Sequence, residues 1–107
     1  MQYIDLTAIT AKEIIPGFSG KFIHAERTTT VYWDIVADSV LPEHAHEHEQ
    51  IMNVIEGEFE IEIEGKSLKL YSDDVVVIPS HVPHSGKAIT HCKIIDIFSP
   101  AREDYKI

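Results

Sequence analysis

Residues 58–64 read Glu-Phe-Glu-Ile-Glu-Ile-Glu, four glutamates alternating with Phe59, Ile61 and Ile63. On a helix these glutamates would be scattered round the circumference, and no apolar stripe would face a core. On a strand, successive side chains point to opposite faces, so the glutamates meet water while Phe59, Ile61 and Ile63 share a buried face. Glu64-Gly65-Lys66 then reads as a hairpin turn into a strand at Ser67–Tyr71. This segment commits the chain to antiparallel sheet.

The remainder uses the same vocabulary. Lys21–Glu26 is a short strand candidate, and Thr28–Ala37 is rich in β-branched and aromatic residues. A strand at Gln50–Ile55 is stopped by Glu56-Gly57. Ser72-Asp73-Asp74 turns into Val75–Ile78, an uninterrupted apolar run expected to be buried on both sides and ended by Pro79. Ala88–Phe98 reads as the last long strand, before a polar tail. Pro16-Gly17-Phe18-Ser19-Gly20 reads as a turn and Leu41-Pro42 as a bend. Residues 1–20 form an arm whose strand could dock on a sheet edge or on a partner subunit. Roughly eight to ten short strands without a convincing helix predict an all-β sandwich or barrel. One domain is expected over residues 1–107, with its barrel core at about 28–99.

Charge narrows the partners. A net charge of −9 argues against nucleic acid, whose phosphates need basic surfaces. An anionic small molecule would need a local cation or metal. Cys92 is the single cysteine, so no disulfide can form within the chain. The opening residues lack a basic segment followed by an apolar run, and no apolar stretch approaches membrane-spanning length. The expected location is the cytoplasm, with no membrane partner.

His44, His46, His48 and Gln50 crowd into seven residues. On a strand, His44 and His46 project from one face, as a cis pair of imidazole ligands requires. A bend brings the Gln50 oxygen to the same centre, and His84 must arrive from a distant strand. These four residues are the candidate ligands of one divalent transition metal ion: Ni, Zn, Fe or Mn. With three imidazoles and an amide, the ion would keep its full positive charge. Glu49 should face away from Gln50, and His48 falls in the connecting bend, behind the ligands or exposed. His24, His81 and His91 read as surface or turn residues.

The last strand adds a second set. Cys92, Ile94, Asp96 and Phe98 share one face, and Lys93, Ile95 and Ile97 the other. A carboxylate on the inner face would be desolvated, with a raised pKa suited to acid–base work; on an edge it would simply be exposed. Arg102 could reach over the mouth and pair with a substrate carboxylate, or bind Glu103 or Asp104 at the surface. Trp33 reads as core packing. Tyr105 could close over the mouth or dock on a neighbour.

The two histidine motifs resemble those of the cupin superfamily. His44-Ala45-His46, Gln50 and Gly57 match the spacing of its first motif. Asp73, Pro79, His81 and His84 match the second, with Asp73 and His81 standing where the family pattern has glycine. The resemblance covers about residues 31–102 and implies a small jelly-roll barrel with metal inside the cup, often dimeric. H-E-H-E-Q together with D-x-F-S-P-A-R-E-D-Y resembles the pectin-degradation proteins of the KdgF type. That resemblance implies metal ligation by His44, His46, Gln50 and His84, and catalytic roles for Asp96, Phe98 and Arg102. The implied activity is a metal-dependent ring-opening isomerisation of cyclic 4,5-unsaturated uronates to linear 4-deoxy-5-keto uronates. Its partners would be an anionic sugar and a second copy of the chain. The alternatives are a cupin dioxygenase and a non-enzymatic sugar- or metabolite-binding cupin.

Overall fold

A computed structural model describes residues 1–106. Among them run ten strands: β1 (Lys12–Ile15), β2 (Phe18–His24), β3 (Thr29–Ile35), β4 (Val40–His44), β5 (Glu49–Glu56), β6 (Phe59–Ile63), β7 (Lys66–Leu70), β8 (Val75–Ile78), β9 (His84–Ala88) and β10 (Cys92–Ser99). The only helical pieces among the described residues are single 3₁₀ turns at Leu6–Ala8 and Glu103–Tyr105.

Burial follows the alternation. Phe59 and Ile61 are each 1% exposed, while Glu62 and Glu64 lie in water. Glu64 and Gly65 both take positive φ, the turn geometry that matches strand twist in a two-residue hairpin. The strands form a six-stranded sheet, ordered β1-β2-β3-β10-β5-β8, and a four-stranded sheet, ordered β4-β9-β6-β7. Every pairing is antiparallel. The two sheets enclose one core as a jelly-roll sandwich.

Strand β10 lies between β3 and β5 and is hydrogen-bonded to both. Cys92, Ile94, Asp96 and Phe98 are all buried on its inner face, as the alternation predicts. At Gly57, φ is +93° and an added Cβ would sit 2.2 Å from the His91 carbonyl oxygen, so the turn after β5 excludes any side chain.

Several local expectations are corrected. Val75 and Val77 are 57% and 56% exposed, so β8 is buried on one face, not two. It is an edge strand paired, among the described residues, only with β5, and none of them covers its outer side. Residues 88–98 are not one strand: β9 ends at Ala88, and a bend separates it from β10. Leu41-Pro42 lies inside β4, at a register irregularity between Leu41 and His44. Only Pro16 and Gly17 form the first turn, since Phe18 already pairs in β2. The arm strand β1 docks on the sheet edge beside β2.

Candidate metal centre and active site

His44 closes β4 and His84 opens β9, and the two residues face each other across the antiparallel ladder. His84 therefore comes from the neighbouring strand. His46 lies in the link to β5, where its carbonyl accepts the His81 N–H at 2.7 Å and ties the two histidine motifs together. Asp73 and His81, standing where the resemblance expects glycine, have φ values of 74° and 65°. The left-handed turns survive because aspartate and histidine tolerate this region better than most residues.

The imidazole rings converge. Ring centroids lie 4.3 Å apart for His44–His84, 5.0 Å for His46–His84 and 5.6 Å for His44–His46. One ring nitrogen from each lies within 4.8 Å of the others. In every ring, Nδ1 bonds a main-chain carbonyl at 2.9 Å: Pro42 for His44, His48 for His46, Val82 for His84. A carbonyl can only accept, so each Nδ1 carries the proton and each Nε2 keeps its lone pair. Such outer hydrogen bonds fix tautomer and ring direction in metal sites.

Two observations fit a cation at this point. His84 Nε2 is buried with no hydrogen-bond partner, an orphaned lone pair aimed at the cluster. Gln50 Oε1 lies 3.2 Å from His46 Nε2. With Nδ1 protonated, both are acceptors, an arrangement that a shared cation reconciles. Burial, reinforced by the charge of Arg102, pushes His46 down to about 4, and burial also lowers His84. His46 and His84 are thus neutral and electron-donating near pH 7. Glu49 is exposed and takes no part. His48 is buried against Phe98, with its ring centroid 6.3 Å away.

The opposite wall belongs to the six-stranded sheet. Asp96 is 7% exposed, and Trp33 Nε1–H donates to its Oδ2 at 3.0 Å. Burial raises Asp96 to about 6, opposed by hydrogen bonds from Gln50 and Trp33 and by the charge of Arg102. Trp33 is therefore part of the site and not merely core, a departure from the sequence reading. The signal was present in principle: Trp33 shares the inner face of β3, but only the register with β10 aims it at Asp96.

Beyond β10, a cis Ser99–Pro100 peptide leads to Ala101 and Arg102, both buried. The Arg102 guanidinium lies over the rings of Phe98, at 4.7 Å, and Tyr105, at 4.1 Å. Arg102 lines the cavity and also grips Asp104 with Nε and Nη2, at 2.9 and 2.7 Å, from a buried position and not from the surface. Tyr105 lines the mouth. All seven sequence-singled residues line or bound one cavity of about 310 Å³: His44, His46, Gln50, His84, Asp96, Phe98 and Arg102. His24, His81 and His91 lie outside it; His91 pairs with Asp34 at the surface.

Comparison with known proteins agrees with this architecture. The cupin domain family matches residues 31–98. The structure of KdgF from Halomonas sp. superposes with a TM-score of 0.90 at 31% identity, covering 96% of this chain and 98% of that one. An RmlC-like cupin from Shewanella frigidimarina superposes with a TM-score of 0.92 at 28% identity, covering 98% and 96%. Salicylate 1,2-dioxygenase from Pseudoaminobacter salicylatoxidans aligns at 19% identity over 81% of this chain and 26% of its own, with a TM-score of 0.77, a likeness of fold alone. No curated protein matches the sequence.

Proposed function

This chain belongs to the cupin family, and from that premise we propose that it is a metal-dependent ring-opening isomerase of cyclic 4,5-unsaturated uronates. The observation that carries the reading is the pairing, within one cavity, of a three-histidine cluster with a buried acid raised to about 6 and a fixed guanidinium. Similarity to KdgF supports the choice among cupin chemistries.

His44, His46, His84 and Gln50 would hold one divalent ion. When bound, that ion supplies a Lewis-acid centre for oxygen atoms that gain negative charge. Arg102 binds the substrate carboxylate, and Phe98 packs against the sugar ring. Asp96, as carboxylate, takes the proton of the anomeric hydroxyl. The C1–O5 bond breaks with its electron pair going to O5, leaving an aldehyde at C1 and an enolate oxygen at C5. The same carboxyl group returns its proton to C4, and the C5 oxygen becomes a ketone. No atom is gained or lost. A group poised near 6 can both accept and release a proton near neutrality. The Trp33 bond holds Asp96 in place.

The exposed apolar side of β5 and β8, with Ile55, Val75 and Val77, supports assembly as a homodimer. Sedimentation of wild type against Val77→Lys tests it, with dissociation of a dimer as the expected outcome.

The activity is tested by mixing metal-loaded and chelator-stripped protein with the unsaturated monouronate from a lyase digest. Loss of the conjugated double bond is followed by ultraviolet absorbance, and the product by NMR. Faster loss with loaded protein, giving the open-chain keto acid without oxygen uptake, is expected. A rate equal to the spontaneous one would remove the uronate reading and leave the cupin fold and histidine cluster standing.

A further inference from the structure

Arg102 is held from several directions. Asp104 takes Nε–H and one Nη2–H at 2.9 and 2.7 Å. The Phe98 and Tyr105 rings lie 4.7 and 4.1 Å from the guanidinium carbon. The Arg102 main-chain N–H donates to Thr29 Oγ1 at 2.8 Å. The Arg102 side chain is 8% exposed and that of Asp104 57%. This is a cation fixed in plane and direction, gripped by a carboxylate that reaches in from the surface.

A guanidinium offers two two-pronged edges, Nε–Nη2 and Nη1–Nη2. Asp104 occupies the first. We propose that Asp104 is a positioning residue that turns the Nη1–Nη2 edge of Arg102 into the cavity as the receptor for a substrate carboxylate. The inference rests on the reading of Arg102 as the carboxylate anchor, and it gives a role to Asp104, a residue of the C-terminal turn. An opposite role for Asp104, as a competitor displaced by substrate, would suit a mobile guanidinium. Here the two ring contacts and the buried stem hold the plane of the group, and the Asp104 pair sets which edge faces the cavity.

The two roles predict opposite results. Trp33 is the only tryptophan in the chain and lines the cavity, so its fluorescence reports ligand entry. Zn²⁺-loaded wild type, Asp104→Ala and Asp104→Glu are titrated with galacturonate, a saturated uronate, and with galactose, its neutral counterpart. The expected result is a roughly tenfold higher Kd for galacturonate in Asp104→Ala, partial recovery in Asp104→Glu, and no change toward galactose. Unchanged or tighter galacturonate binding in Asp104→Ala would overturn the proposal while leaving Arg102 as anchor. A wild-type protein blind to galacturonate and to the unsaturated uronate would remove the anchor reading and the proposal with it. As a signature of the grip itself, the Arg102 Nε–H resonance should be downfield and slow to exchange in wild type. It should lose both properties in Asp104→Ala; an unaltered resonance overturns the positioning role.

Discussion

The cavity has two walls of opposite character. The histidine wall is built from β4, β9 and the link to β5. Its groups are imidazoles, and each is aimed by a main-chain carbonyl. The acid wall is built from β3, β10 and the C-terminal turn. Its groups are ionisable and aimed by other side chains: Trp33 on Asp96, Asp104 on Arg102. Gln50, on β5, stands between them, beside His46 and beside Asp96. The first wall is fitted to hold something constant, the second to exchange a proton and grip an anion. Substitutions should separate the two.

The largest expected effect is on the first wall. His84→Ala removes a buried donor and should take metal content, measured by inductively coupled plasma spectrometry, from about one ion per chain to nearly none. Turnover should go with it. On the second wall, Asp96→Asn should retain the ion while kcat falls roughly 10²- to 10⁴-fold, the usual span for losing a general acid–base group. A variant that loses both ion and activity would show that the walls are not separable.

Acid should act on the walls in opposite senses in the metal-free protein. His46 sits at about 4, below its ordinary 6.5, so its contribution to stability is intact above 6.5 and is lost as pH falls toward 4. Asp96 sits at about 6, above its ordinary 3.8, so its contribution is present below 3.8 and is lost as pH rises through 6. The Asp96 shift corresponds to about 3 kcal/mol once pH exceeds 6. Metal-free Asp96→Asn should therefore be more stable than wild type at pH 7 by up to that order, with the gain gone near pH 4. Thermal melts across pH read this directly, and an equal gain at both ends would contradict the burial of the acid.

Smaller effects sharpen the contrast in how the walls are held. Trp33→Phe removes a donor to Asp96. A hydrogen bond to a charged group is worth about 1.5–3 kcal/mol, so the acid limb of the activity profile should move up by roughly one pH unit. Val82→Ala keeps the carbonyl that orients His84, so metal affinity should change by less than about twofold. A large loss there would mean that side-chain packing, not the carbonyl, aims the ring.

The same distinction explains what could be read before the fold was known. The alternation at 58–64 dictated a strand, and the spacing of His44, His46, Gln50 and His84 singled out residues that the fold does bring together. Alternation also placed Asp96 and Phe98 on the inner face of β10. The carbonyls that fix the tautomers were invisible, because every residue has one. Trp33 was read as packing because its bond to Asp96 depends on the β3–β10 register, a long-range property that β3 alone does not contain. Val75 and Val77 looked buried because apolar composition does not say whether a strand lies at the edge of a sheet. Asp104 was legible only as a neighbour of Arg102, not as the group that directs it.

The position of β10 has a consequence for how such a chain can change. Asp96 faces inward only because the strand is paired along both sides, with Ile95 and Ile97 facing out. A single inserted or deleted residue early in this strand would turn Asp96 outward and bring an isoleucine to the cavity, removing the acid from the site without substituting it. Lineages of this protein should accept length changes in the turns, such as Glu64-Gly65, far more readily than in residues 92–99. The register of one strand thus matters to the cavity as much as the acid it carries.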